Sequence, residues 1–381
     1  MGQGNLRIGA VVMHIIHYNL TTTSKVGGVE SFVWELAQQQ VRLGHRVTIV
    51  GGQGPIQRPN QGLRVLKFPF IDRARLAWGP LRRAYAWRKL AERLSLLPRA
   101  WPILKTADLV HIHKPYDLVV APLLKRHGIP TAYHGHGEDF FRGDVQLMQS
   151  AAVLLSCSSY NAQTLQQHYG RTASVVYNGV DVEHFRPLAL DPALRQAIAG
   201  DAQWLLMHPG RMMPWKGQRD AISALSLLDH TYHLAFLGDG ETRQALADYA
   251  QQLGIAERVH FLGTIAHSEL PRYLACADLV LGTSYTSETF GMALAEAQAC
   301  GRPVIASSWR GYDDVVQAGS TGERFIAQNS ADLARVISQL CHDSAYREQL
   351  ARAGRQRVQQ LFPWSAVAER VEVVYEGLVS C

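Results

Sequence analysis

The sequence predicts an α/β protein made of two doubly wound, parallel-sheet halves, Rossmann-like in design. Three observations carry that expectation. Short apolar runs alternate with helical stretches along the chain. The alternation breaks once, between Asn178 and Leu190, and then restarts. The length, 381 residues, exceeds what a single core fills comfortably. Strands of a parallel sheet covered by helices on both faces read as continuous apolar runs, and these do.

The first half opens on RIGAVVMHII, a strand of the buried type. The helix GGVESFVWELAQQQVRLG follows and stops at Gly44, a residue suited to a helix C-terminus. HRVTIVGG, ADLVHIH, IPTAYHGHG, AAVLLSCSS and ASVVYNG then read as further strands. The segment NGVDVEHFRPLAL is rich in turn formers, and the domain boundary is placed within it, giving a first domain over 1–185. AQWLLMHPG, YHLAFLGDG, RVHFLGT, ADLVLGTS and RPVIASSW repeat the rhythm in a second domain over 186–361, and SAVAERVEVVYEGLV closes the chain as an amphipathic helix within 362–381. Open parallel sheets bind ligands beyond the carboxyl ends of their strands. Two such domains facing a cleft would offer one site each, so the residues at those strand ends are the ones to weigh.

Composition narrows the classes. An apolar fraction of 47% and a charged fraction of 18% fit a globular chain. The net charge of +6 favours anionic ligands or surfaces without choosing among nucleic acid, phospholipid and phosphorylated metabolites. The five cysteines, Cys157, Cys276, Cys300, Cys341 and Cys381, are scattered and lack metal-box spacing, so reduced thiols in a cytoplasmic protein without structural zinc are expected. No apolar run reaches the ~20 residues that span a bilayer. The first residues lack a signal-peptide layout, Leu6 breaks the myristoylation pattern, and the sequon at Asn19 would go unused in that compartment.

At the strand ends of the first half, KVGGVESF sets Gly27 and Gly28 before a helix, either a cradle for an anion or a plain tight turn. YHGHGEDFF gathers His134, His136, Glu138 and Asp139. An imidazole there can donate to a sugar hydroxyl, or can simply be a solvated loop histidine. The HxH spacing lacks a further ligand and is not read as a metal box. In the second half, GRMMPWKG places Arg211 and Lys216 after a strand beside Gly210. Two fixed cations suit a diphosphate, although a solvated basic loop has the same look.

SETFGMALAEAQACG holds Glu288 and Glu296 eight positions apart among small and apolar residues. With a helix starting near Phe290 or Gly291, Glu288 lies in the preceding loop. At 1.5 Å rise per residue, eight helical residues span roughly 12 Å, comparable to the reach from a hexose across a diphosphate to a ribose. The amides of Thr289, Phe290, Gly291 and Met292 would face an anion between them. Each glutamate alone could be an ordinary helix-surface or helix-start residue. The pair together with Arg211 and Lys216 is what points to a nucleotide sugar.

With these residues in place, the chain resembles the retaining glycosyltransferases of the GT-B fold, specifically glycosyltransferase family 4. The resemblance rests on GGVESF, HGED at 136–139, YNGVDVEHFRP at 177–187, GRMMPWKG at 210–217, GDG at 238–240, ETFGMALAEAQACGRPVIAS at 288–307 and GYDDVV at 311–316. It implies that Glu288 binds donor-sugar hydroxyls with the amides of residues 289–292, and that Glu296 binds the ribose. Arg211 and Lys216 would neutralise the diphosphate, Gly28 would sit by the phosphates, and His136 would contact the donor sugar, with His134 the fallback. Catalytic roles fall to His136, Glu288, Arg211 and Lys216. The resemblance further implies transfer with retention by front-face attack and no metal or other cofactor. It also implies a last helix, from Phe362 and Trp364 onward, that crosses back to the first domain. Asp314 stands where the family has glutamate.

UDP is expected as the nucleotide on frequency. The acceptor is left as a small molecule, a glycan or a lipid-linked sugar. The segment 73–101, basic and interleaved with Trp78, Tyr85, Trp87 and Trp101, is read either as a peripheral contact with the inner face of an anionic membrane or as a solvated basic helix. No nucleic-acid module is recognisable. The competing functions are a non-catalytic nucleotide-sugar-binding subunit and a GT-B nucleotide-sugar epimerase. A nicotinamide-dependent oxidoreductase lacks its GxGxxG after the first strand.

Overall fold

A computed structural model of the chain describes residues 12–56, 58 and 61–379. It divides into two compact units, Met1–Gly179 with Trp364–Cys381, and Val180–Pro363. The first unit holds seven strands: β1 His14–Tyr18, β2 Arg46–Gly52, β3 Arg64–Phe68, β4 Leu109–Ile112, β5 Thr131–Gly135, β6 Val153–Ser156 and β7 Ser174–Val175. The part of the predicted first strand on residues 7–11 falls outside the described residues. The second unit holds β8 Trp204–Pro209, β9 Tyr232–Leu237, β10 Val259–Phe261, β11 Leu279–Gly282, β12 Val304–Ser307 and β13 Glu323–Phe325.

Both sheets are parallel, with orders β3-β2-β1-β4-β5-β6-β7 and β10-β9-β8-β11-β12-β13. In each, the first strand of the unit lies at the centre and the chain reverses its winding beside it. The switch points therefore fall between β1 and β4 and between β8 and β11, where a crevice opens beyond the strand ends.

The strands are apolar for the reason anticipated. Ile15, Ile16, Val110 and Tyr133 in the first sheet, and Leu206, Leu234, Val280 and Ile305 in the second, are fully buried. Removing a side chain of this size from water stabilises by about 1.5–3 kcal/mol. The helix Gly28–Arg42 covers one face of the first sheet with Phe32, Val33 and Leu36. It ends at Leu43, and Gly44 follows in the left-handed region at φ +97°.

The helix Trp364–Val379 belongs to the first unit, where Val367, Ala368, Val371 and Tyr375 share a core cluster with Ile15, Phe32 and Leu36. The division falls a few residues from the expected boundaries because Val180 bridges Pro363 and its amide donates to the carbonyl of Phe362 at 2.7 Å. That pairing keeps 180–185 and 362–363 with the second unit. No helix among the described residues is long and apolar enough to cross a membrane. The described cysteines are buried, and no disulfide joins any two of them.

Candidate donor site and its histidine-rich counterpart

In the second unit the β8 strand ends at Pro209 and the chain turns through Arg211 to Lys216. Gly217 follows at φ +68°, and a Cβ there would meet the carbonyl oxygen of Thr283 at 2.1 Å. Only glycine lets the β8 loop lie against the end of β11. Thr283 fastens the contact by donating its hydroxyl to the Lys216 carbonyl at 2.7 Å, while its oxygen lies 2.9 Å from His208 Nε2. Burial, and then the nearby Lys216 ammonium, push the His208 imidazole down to about 3.

This arrangement carries Lys216 across the switch point. Its Nζ donates to Glu288 Oε2 at 2.6 Å and stands 4.7 Å from the Trp215 ring centroid. Glu288 is held from three further directions. Its Oε1 accepts from the Gly291 amide at 3.1 Å, its carbonyl accepts from Trp309 Nε1 at 2.8 Å, and Ser287 before it sits at φ +59°. A non-glycine residue in that region costs about 1–2 kcal/mol, so the loop around Glu288 is a constrained one. Gly311 closes against it, since a Cβ at 311 would come within 1.8 Å of the Glu288 carbonyl oxygen.

The helix after this loop is Met292–Ala299, with Gly291 at its N-cap position and φ +91°. It begins slightly later than expected. Only part of the interval between Glu288 and Glu296 is helical, so the 1.5 Å rise does not measure the separation of the two carboxylates. The amide of Gly291 at the helix start meets Glu288 Oε1, and a helix N-terminus favours anions. Phe290 is buried and its ring meets Phe362 edge-on at 5.1 Å, so it offers the site its backbone and not its side chain. Glu296 Oε1 lies 3.1 Å from His267 Nε2. Arg211 is exposed and, among the described residues, its guanidinium forms no ion pair; its carbonyl accepts from Gln218 Nε2 at 3.1 Å.

Thus Lys216, Glu288 and the Gly291 amide come together at the strand ends, with Glu296 one turn into the helix. Sequence reasoning missed His267, Thr283 and Trp309. Thr283 and Trp309 flank motifs it did single out, and Gly311 in GYDDVV was the available signal for the close approach to Glu288.

In the first unit, Gly28 starts its helix and Gly27 precedes it with extended backbone. A Cβ at Gly27 would strike Glu30 Oε2 at 2.5 Å, whereas Gly28 faces open space. Glu30 folds back beneath this turn. It is ion-paired with Lys114 and accepts from the Thr21 hydroxyl at 2.5 Å. Burial alone would raise the Glu30 carboxyl, but the charge and hydrogen bonds of Lys114 and Thr21 outweigh it and hold it low. A Lys–Glu pair therefore spans the switch point of each unit, and Glu30 and Lys114 were not singled out in the sequence.

His136 follows β5. Its ring lies 4.4 Å from that of His134 and 4.7 Å from Phe32, and its Nε2 is 3.4 Å from His113 Nδ1. Burial, then the Lys114 charge, hold its imidazole below the ordinary range. His134 is fully buried, so His136 is the more accessible of the two. The HxH motif, read as lacking a further ligand, is joined by His17 from β1 and by His111 and His113 at β4.

In the segment 73–101, the helix Tyr85–Leu104 buries Lys89, Glu92 and Arg93. Arg93 pairs with Glu92 and with Asp117, and Lys89 donates to Asp139 at 2.6 Å. Trp101 packs on His127, while Trp78, Tyr85 and Trp87 are exposed.

Two parallel α/β units, each wound from its first strand and each with a charged pair at its switch point, define a fold of the GT-B glycosyltransferase type. Comparison with known proteins places the chain more closely. Residues 26–184 match the family model described as Glycosyltransferase Family 4, and residues 193–357 match that of Glycosyl transferases group 1. A D-inositol 3-phosphate glycosyltransferase from Catenulispora acidiphila is 31% identical over 306 residues, covering 71% of this chain and 72% of the relative. A glycogen synthase from Mycobacterium tuberculosis is 27% identical over 393 residues, 92% of this chain and 91% of that one. Among solved structures, Anabaena HepE in complex with UDP and glucose superposes with a TM-score of 0.77 at 22% identity, covering 96% of this chain and 100% of that chain. The sucrose-phosphate synthase of Thermosynechococcus elongatus gives 0.78 at 19% identity, covering 96% and 99%. The chain belongs to glycosyltransferase family 4, and its fold is GT-B.

Proposed function

We propose that this glycosyltransferase takes its sugar from a nucleotide sugar, UDP-linked in the first instance, and transfers it with retention to a hydroxyl acceptor. The observation that carries the reading is the Lys216–Glu288 pair at the switch point, 2.6 Å apart beside the amides that open the helix Met292–Ala299. A cation, a carboxylate and a row of amides in one crevice suit a diphosphate flanked by hydroxyls. The UDP and glucose bound by HepE support a UDP-linked donor here.

In this reading Lys216 exchanges its contact with Glu288 for the donor's diphosphate, joined by the exposed Arg211. The freed Glu288 carboxylate accepts from sugar hydroxyls, and Glu296 accepts from the ribose. Gly28 lies by the phosphates and His136 contacts the donor sugar. As the anomeric bond to the phosphate oxygen lengthens, negative charge grows on the leaving diphosphate, and the fixed cations and amides stabilise it. The acceptor hydroxyl attacks from the same face and passes its proton to the departing phosphate oxygen. Protein cations supply the leaving-group stabilisation, so the reaction proceeds without a metal. The acceptor is a small molecule, a glycan or a lipid-linked sugar. The exposed Trp78, Tyr85 and Trp87 support a lipid-linked acceptor met at the inner membrane face.

A thermal-shift series with UDP-, ADP- and GDP-sugars, followed by hydrolysis of the strongest stabiliser, tests the reading. One donor should raise Tm and be hydrolysed. Binding without turnover, with or without acceptors, would favour a non-catalytic binding subunit. Conversion of the bound sugar to its epimer would favour an epimerase.

A further inference from the structure

The proposed transfer chemistry leaves one feature unused, a group of buried histidines in the first unit. His17 lies in β1, while His111 lies in β4 and His113 directly follows it. One ring nitrogen from each of the three lies within 4.8 Å of the other two. All three side chains are at most 1% exposed.

The hydrogen bonds on the outer side of each ring are what make this a site. His17 Nε2 lies 2.7 Å from Gln40 Oε1, an acceptor, which fixes the proton on Nε2 and leaves the Nδ1 lone pair inward. His111 Nδ1 lies 2.6 Å from the Tyr375 hydroxyl. His113 Nδ1 lies 3.4 Å from His136 Nε2. Metal-bound histidines are held in this way, the second nitrogen donating to an outer partner.

His17 Nδ1 and His113 Nε2 are hydrogen-bonded at 3.0 Å, and His111 Nε2 is buried with no hydrogen-bond partner among the described residues. An unmet buried polar atom costs about 1–3 kcal/mol. Two nitrogens on one tetrahedral zinc ion, each at 2.0–2.1 Å, stand about 3.3 Å apart, close to the 3.0 Å between His17 Nδ1 and His113 Nε2.

We propose that His17, His111 and His113 bind one divalent transition-metal ion, with Zn²⁺ the best match to three imidazoles, through His17 Nδ1, His111 Nε2 and His113 Nε2. A water or hydroxide completes the shell. The ion satisfies the orphaned nitrogen and ties β1 to β4. It also holds His113 as the Nδ1–H tautomer that donates toward His136. The site is structural and takes no part in the diphosphate chemistry assigned to Lys216 and Arg211.

The test uses the untagged full chain, stripped with a chelator and titrated calorimetrically with Zn²⁺ alone at pH 7.5. One equivalent should bind with submicromolar Kd and raise Tm. His111→Gln should weaken binding at least about 100-fold, and Tyr375→Phe by about 10–100-fold, the range for loss of an outer partner. His127→Gln, on the surface, should change nothing. Should His111→Gln fail to fold, the visible spectrum of the Co²⁺-loaded wild-type chain decides, with a four-coordinate site of three nitrogens and one oxygen expected. No stoichiometric Zn²⁺ in the wild type, octahedral Co²⁺ only, or undiminished binding by folded His111→Gln would overturn the proposal.

Discussion

Lys216 Nζ lies 2.6 Å from Glu288 Oε2, and the two residues come from loops that leave different strands, β8 and β11, on either side of the switch point. The cation and the carboxylate assigned to a donor ligand thus neutralise each other. Both are largely shielded from water, with side-chain exposures of 18% and 17%. A ligand that brings both a diphosphate and hydroxyls can replace the pair without leaving either charge unmet, whereas a simple anion would strand Glu288.

Lys216→Ala and Glu288→Ala should each lower kcat/KM for sugar transfer by about 10²–10³-fold, the range for losing one fixed transition-state contact. The folds should persist, since the pair is not part of the core. Steady-state kinetics with far-UV circular dichroism checks this, and near-normal turnover in either folded variant would remove the residues from the mechanism.

Gly217→Ala should destabilise the second unit by more than about 1–2 kcal/mol, the cost of the left-handed region for a residue with a side chain. The new Cβ must also displace the Thr283 carbonyl 2.1 Å away. Urea denaturation measures the loss. Gly28→Ala, which faces open space, should stay within about 0.5 kcal/mol of wild type.

Stability should fall with acid through His208. Its folded pKa, about 3, lies below its unfolded value near 6.5. Between these values the unfolded chain binds a proton that the folded chain refuses. The contribution is therefore complete above pH 6.5 and is lost as pH falls toward 3, by about 1.4 kcal/mol per pH unit. Urea midpoints followed from pH 7.5 to 4.5 should show the slope, and His208→Gln should reduce it. An unchanged slope in that variant would assign the acid sensitivity elsewhere.

Truncation after Pro363 removes Val367, Val371 and Tyr375 from the cluster that contains Ile15, Phe32 and Leu36. The shortened chain should be insoluble, or should bind a hydrophobic dye with early loss of the first unit on heating. A soluble, fully cooperative truncation would contradict the packing described.

Trp78 and Trp87 are 64% and 69% exposed, so their joint replacement by alanine should leave Tm nearly unchanged. If the segment meets an anionic membrane, the same change should abolish sedimentation with phosphatidylserine vesicles at low salt. Equal sedimentation of both proteins, or of neither, would dismiss that role.

The fold was legible because each parallel strand had to be apolar on both faces, as Ile15, Val110, Leu206 and Ile305 are. The sheet orders follow from two halves that each wind outward from their first strand. The donor-side residues were legible as motifs, since Lys216 and Glu288 each follow a strand that reads clearly. Their direct pairing was not, because it depends on Gly217 letting one loop lie on another. The helix between Glu288 and Glu296 was placed a residue or two early because Gly291 in the left-handed region delays its start to Met292.

Glu30 escaped notice as one acid in an amphipathic helix, its partner Lys114 lying 84 residues away. The histidines were visible one strand at a time. HIH at 111–113 and HGH at 134–136 each place alternate residues on one sheet face. Only the adjacency of β1, β4 and β5 joins them with His17.

The central claim is that the Lys216–Glu288 crevice binds a nucleotide-sugar donor for transfer. The most direct measurement is calorimetric titration of wild-type, Lys216→Ala and Glu288→Ala chains with UDP and with the UDP-sugar that most raises Tm. The account predicts that Lys216→Ala weakens both ligands by tenfold or more. Glu288→Ala should weaken the UDP-sugar and leave UDP within a few-fold. Equal affinity of all three chains for both ligands would contradict it.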